Sequence, residues 1–167
     1  MTIRIPAISV ALMLAWLAAS GPVLAQSPAP TAKLFAPGAD IPKLIERARR
    51  ERKPDQANFV QPIVQLPPYN VNLEFRVAGQ NATASVHESD AELFLVIEGR
   101  GTVVTGGKLK DERRTNPQNL QGSAIEGGSS RALVKGDWVL VPEKTPHWFT
   151  EIDGELVLMS VHLPHQP

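Results

Sequence analysis

The sequence contains no cysteine. Thiolate nucleophiles, thiolate metal ligands and disulfide staples are therefore excluded, and any fold must be held by its core alone. Charge of one sign is not in excess either, with 17 Lys and Arg against 17 Asp and Glu. Such a balance gives no electrostatic case for a nucleic-acid partner or an anionic membrane surface. Beyond the first 25 residues there is no long apolar run, and no solenoid-type repeat is present anywhere. The glycines of "IEGRG" and "VTGGK" precede no helix start, so phosphate-loop readings fail on context. Ser85 lies close to His87 but no nucleophile elbow surrounds it, which leaves serine catalysis without support.

What is present begins with an export signal. Arg4 forms a short positive region, "AISVALMLAWLAA" an apolar one, and Val23 to Ala25 a cleavage site. The apolar run is shorter than the ~20 residues a bilayer needs, and Ser20, Gly21 and Pro22 interrupt it. Residues 1–25 are thus expected to be removed, leaving a periplasmic or secreted chain that starts at Gln26 and has no membrane contact. The matching of Asn81 to Thr83 to a glycosylation acceptor is a short pattern with many false positives.

Residues 26–39 are rich in Pro, Ala and Ser and have no apolar period, as expected of a linker or arm. One domain is expected over 40–167. Asp40 stands where an N-cap belongs, Pro42 lies in the first turn, and Ile41, Leu44, Ile45 and Ala48 recur at helical spacing. This predicts a short helix over about 41–53, its basic C-terminal end a solvated face suited to the helix dipole. From about 59 to 163 the chain is strand-like, with "VNLEFRV", "LFLVI", "TVV", "RALV", "WVLV", "HWFTEI" and "ELVLMSVHL" separated by glycine-bearing turns. No room is left for crossover helices, so the fold class is all-β, an antiparallel sandwich or barrel with one short N-terminal helix. Residues 106–130 form the least regular stretch, a polar loop with one short strand near "SAIEGG".

The candidate chemistry lies at strand starts. Four residues separate His87 from Glu92, which opens a strand whose next five residues are apolar. A carboxylate in that position is costly to bury unless it is paired or meets a cation. His147 begins another strand after a Pro-bounded turn. Two imidazoles and a carboxylate suit a divalent metal, and non-haem iron(II) in a facial arrangement. By strand alternation Phe94 shares the face of Glu92 and Phe149 that of His147, giving an apolar wall. His162, in "LMSVHLP", is a further inward-facing candidate, whereas His165 in the tail is not.

These segments resemble the two motifs of the cupin superfamily, a small double-stranded β-helix or jelly-roll barrel. His87, Glu92 and Gly99 keep the intervals of the first motif from its second histidine onward, and Gly136, Pro142 and His147 keep those of the second. The resemblance covers about residues 70–163 and implies a metal site at His87, Glu92 and His147. Three positions depart from it. Ser85 stands at the first motif's first histidine, Lys144 at the second motif's second glycine, and Glu151 at its asparagine. Ser85 faces the same way as His87 and could hold a metal-bound water.

The function so implied is that of a metal-dependent enzyme acting on a small organic molecule. Iron would imply oxygenation, and zinc or manganese lyase, isomerase or hydrolase chemistry. Glu151 or Lys144 at the mouth would then serve as polar or acid/base groups. The alternative is a barrel that binds a small ligand without turnover or plays a structural part, including as a homodimer paired through edge strands.

Overall fold

The computed structural model describes residues 32–79 and 82–165. The signal segment, its cleavage site and the start of the arm lie outside the described residues. Helix α1 spans Asp40–Glu51. Ala39, not Asp40, occupies the N-cap position, and no side chain caps it. Asp40 is instead the first helical residue, where its charge suits the dipole and it pairs with Lys43 Nζ at 3.0 Å. Arg52 leaves the helix in an extended conformation two residues before Pro54, whose ring disfavours helical geometry in the residue before it. The basic end is solvated: Arg47 pairs with Glu51, and Arg49 with Glu46 and Glu155.

Twelve strands follow, in the order β1 (Asn58–Leu66), β2 (Tyr69–Val77), β3 (Ala84–His87), β4 (Asp90–Thr105), β5 (Lys108–Lys110), β6 (Arg113–Asn116), β7 (Asn119–Gly122), β8 (Ala124–Glu126), β9 (Ser129–Val134), β10 (Trp138–Val141), β11 (His147–Thr150) and β12 (Glu155–Pro164). All their pairings are antiparallel, and two sheets share β4. Its first part lies between β12 and β10, with β2 and β1 beyond β12. Its second part lies between β11 and β9, with β3, β7 and β6 beyond β11. The result is a jelly-roll barrel of the cupin type, with one short helix on its outside.

Two expectations are corrected here. The apolar run after Glu92 does not close on a glycine turn; β4 continues through Gly99 into the other sheet. Gly99 has φ +81°, and a Cβ there would stand 1.9 Å from the carbonyl oxygen of Glu155. A side chain has neither the backbone conformation nor the space at that bend, so the motif glycine is required by geometry. The 106–130 segment, read as a polar loop, folds into short strands β5 to β8 and the start of β9. Its residues are mostly exposed, so it lacks the apolar alternation that reveals a half-buried strand.

Alternation along β4 and β12 divides the core in two. Phe94, Val96, Leu156 and Leu158 face inward and pack with Val103, Leu133, Val141 and Phe149 between the sheets. Leu73, Phe75 and Val157 face outward and are covered by Ile45 and Ala48 of α1 together with Ile63. The helix therefore seals the outer face of one sheet and leaves the barrel interior to the strands. No helix among the described residues is long and apolar enough to cross a membrane.

A histidine cluster around a buried glutamate

One end of the barrel gathers the candidate residues. His87 closes β3, Glu92 lies near the start of β4, and His147 opens β11. The turn before His147 is fastened by local bonds: the Lys144 N–H donates to the His87 carbonyl at 2.7 Å, and the Gly106 N–H to the Pro146 carbonyl at 2.8 Å. His162 comes from β12, where it stands directly across from Glu92 in the β12–β4 register. Neighbouring strands place directly opposed side chains on one face with their Cβ atoms ~5 Å apart.

The glutamate is the centre of the cluster. It is 3% exposed. His87 Nε2 lies 3.1 Å and His147 Nε2 3.4 Å from its Oε2, while His162 Nε2 lies 3.3 Å from its Oε1. Among the described residues no lysine or arginine pairs with it, so imidazoles are its charge partners. The His87 ring centroid is 5.3 Å from that of His147 and 5.0 Å from that of His162. One ligand atom each from His87, Glu92 and His162 lie within 4.8 Å of one another, close enough to surround one ion.

Sequence reasoning missed two residues that touch this cluster. Asn119, opposite His87 in the β3–β7 register, places Oδ1 2.6 Å from His87 Nδ1. Asp90 Oδ2 lies 3.4 Å from His162 Nδ1. Asp90 was accessible to pattern reading, since it sits two residues before Glu92 on one strand and therefore shares its face. Asn119 was not, because a strand pairing across the polar segment leaves no local signal.

Electrostatics separates the three imidazoles. Burial pushes His147 down to about 4, and repulsion from His87 and Arg76 adds to this against the attraction of Glu92, so the ring is neutral at ordinary pH. Burial also opposes charge on His87, but hydrogen bonding and attraction from Glu92, with help from Asn119, outweigh it and hold its pKa above the usual value. For Glu92 burial works against ionisation, yet the hydrogen bond from His87 and the nearby imidazoles leave its pKa below the ordinary carboxylate value. Glu92 is accordingly an anion in a site that neutral surroundings would not tolerate.

The remaining sequence candidates fall in different places. Ser85 is half-buried directly opposite His147 and faces the cluster from β3. Phe149 is buried beneath the site, 6.4 Å from the His147 ring and 4.9 Å from Phe94 between ring centroids, with the Arg76 guanidinium 4.5 Å above it. It is a core residue, as is Phe94. A cavity of about 380 Å³ opens onto the cluster, lined by His87, Ser89, Asp90, Gln118, Asn119 and His162 among others. Neither Lys144 nor Glu151 lines it, which corrects their placement at the mouth. Glu151 lies beyond the far end of β11, where it accepts a hydrogen bond from Thr102 Oγ1 at 2.7 Å. Both residues keep left-handed backbone, with φ of +58° at Lys144 and +48° at Glu151. Lys144 thus preserves the glycine conformation of the motif without the glycine.

No family model matches the sequence, and no curated protein matches it. Solved structures do. Hydroxypropylphosphonic acid epoxidase from S. wedmorenis aligns with a TM-score of 0.50 and 18% identity, over 64% of this chain and 51% of that chain. Fe(II)-HppE with the alternative substrate (S)-1-HPP aligns with a TM-score of 0.51 and 18% identity, over 67% and 52%. The chain spans about half the length of these structures. At such identity the likeness shows the fold alone.

Proposed function

We propose that this chain, a cupin-type barrel by its fold, is an exported protein that holds one divalent metal ion at His87, Glu92 and His147 and uses it on a small organic molecule. The observation that carries the reading is the buried Glu92 carboxylate, faced by imidazole nitrogens at 3.1 and 3.4 Å and by no lysine or arginine among the described residues. Buried anions of this kind are stabilised by pairing or by a cation. His147 is neutral and offers a lone pair, as a ligand must. The donor set of imidazole and carboxylate fits iron(II), manganese(II) or zinc(II).

Bound there, such an ion would supply Lewis acidity, or with iron a redox centre suited to oxygenation. The chain's own residues account for the rest. Asn119 fixes the ring of His87 by a hydrogen bond, and Asp90 stands beside the outer nitrogen of His162. Phe94 and Phe149 close the interior side with apolar surface and exclude water. Ser89 and Gln118 at the cavity mouth offer hydrogen bonds to an entering molecule, and the cavity of about 380 Å³ sets its size as small.

The test loads purified protein with iron(II), manganese(II) or zinc(II) in turn and screens small organic substrates for turnover. Turnover with one metal, absent from the folded Glu92→Gln variant, supports the enzyme reading. Saturable ligand binding with no turnover under any metal contradicts it and leaves a barrel that binds without reacting.

A further inference from the structure

We propose that His162 is a metal ligand in its own right, standing in for the imidazole that position 85 does not supply. This rests on the reading above that a divalent ion binds at the cluster. Ser85 lies directly opposite His147 and two residues from His87 on β3, so a longer side chain there would enter the cluster from the β3 side. A serine leaves that side without an imidazole. His162 enters instead from β12, opposite Glu92, and meets the carboxylate at Oε1, whereas the contacts of His87 and His147 are with Oε2.

Tautomers give an independent argument. Asp90 Oδ2, an acceptor, stands 3.4 Å from His162 Nδ1, which favours a proton on Nδ1 and, in the neutral ring, leaves Nε2 to bind. Asn119 Oδ1 does the same for His87 at 2.6 Å. Both rings bring Nε2 to the Glu92 carboxylate, at 3.3 and 3.1 Å, where each nitrogen gives a proton to the carboxylate when no ion is held and is free to bind an ion once that proton is lost. An imidazole with its outer nitrogen bound to a carboxylate or carbonyl and its inner nitrogen free is the usual arrangement of a metal-ligating histidine. Ligand atoms opposed on one ion are ~4.2 Å apart at bonds of ~2.1 Å, so the 4.8 Å grouping of His87, Glu92 and His162 needs only small side-chain adjustment to share one.

Two consequences separate a ligand from a structural residue. Loss of the His162 ring should weaken metal binding, and an imidazole supplied at position 85 should restore it from another strand. His165 provides the control, since its ring is exposed and faces Glu143 Oε2 at 3.4 Å.

Cobalt(II) alone is the probe, with binding followed by its visible absorption and competition against a chelator. His162→Ala should weaken binding at least about tenfold, Ser85→His added to it should recover most of that loss, and His165→Ala should leave binding unchanged. His162→Ala binding as tightly as the unmodified protein, while His147→Ala loses cobalt, would overturn the proposal and leave the three-residue site standing. Unmodified protein that takes up no cobalt would overturn both. Should His162→Ala fail to fold, the cobalt-loaded unmodified protein decides the matter by proton NMR. Three exchangeable imidazole N–H resonances shifted outside the diamagnetic range support a third histidine ligand; two would contradict it.

Discussion

The backbone N–H of Lys144 donates to the carbonyl of His87 at 2.7 Å, so the turn that delivers one histidine is tied to the strand end that delivers the other. Lys144 makes this bond from a left-handed conformation, φ +58°, that costs a side-chain-bearing residue of order 1 kcal/mol. Lys144→Gly keeps the N–H and relieves the strain, and should raise stability by up to about 1 kcal/mol in urea unfolding. Lys144→Pro removes the donor and cannot adopt the conformation. It should lower both stability and metal affinity.

Gly99 should tolerate no side chain. With φ +81° and a Cβ placed 1.9 Å from the Glu155 carbonyl oxygen, Gly99→Ala forces β4 away from β12 where β4 passes from one sheet to the other. A loss of more than about 2 kcal/mol is expected in urea unfolding. Gly136→Ala, where φ is +93° but the space is open, should cost less.

Asn119 should govern affinity without touching the metal. Its Oδ1 fixes the proton of His87 on Nδ1, so Asn119→Ala frees the ring and should weaken metal binding by about tenfold. Asn119→Asp keeps the acceptor and should bind at least as tightly as the unmodified protein. Chelator competition distinguishes the two.

Metal affinity should fall as the pH is lowered. His87 has a pKa above the ordinary histidine value, so below that pKa a metal must displace its proton, and affinity drops by about tenfold per pH unit for each proton displaced. His147, held at about 4, contributes no such competition above pH 4. Cobalt titrations from pH 5 to 8 should show this dependence, strongest in the lower part of that range. An affinity that rises on acidification would contradict the assignment of His87 as a ligand.

Export predicts a definite end for the mature protein. N-terminal sequencing of chain recovered from outside the cytoplasm should begin at Gln26, and Ala25→Arg should block processing.

The legible part of the fold was local. Alternation put Phe94 with Glu92 and Phe149 with His147, and in the structure those two phenylalanine rings pack 4.9 Å apart under the cluster. The helix was legible for the same reason, since Ile45 and Ala48 are the buried members of its apolar stripe. What escaped was set by pairing between distant segments. The register of β12 against β4 decides that His162 meets Glu92, and that of β3 against β7 decides that Asn119 meets His87. Gly99 misled because a glycine inside a strand reads like a turn when its bend carries the chain from one sheet into another. In the 106–130 segment β6 escaped because exposure on both faces leaves no period of two, and β5 because three residues are too few to show one.

On the proposed function, Glu92 is buried because it holds a metal ion. Elemental mass spectrometry on protein recovered from its native compartment, beside Glu92→Ala and His147→Ala, measures this most directly. Close to one equivalent of one divalent metal is expected in the unmodified protein, and its loss from both variants. Protein that folds like its variants and carries no metal would contradict it.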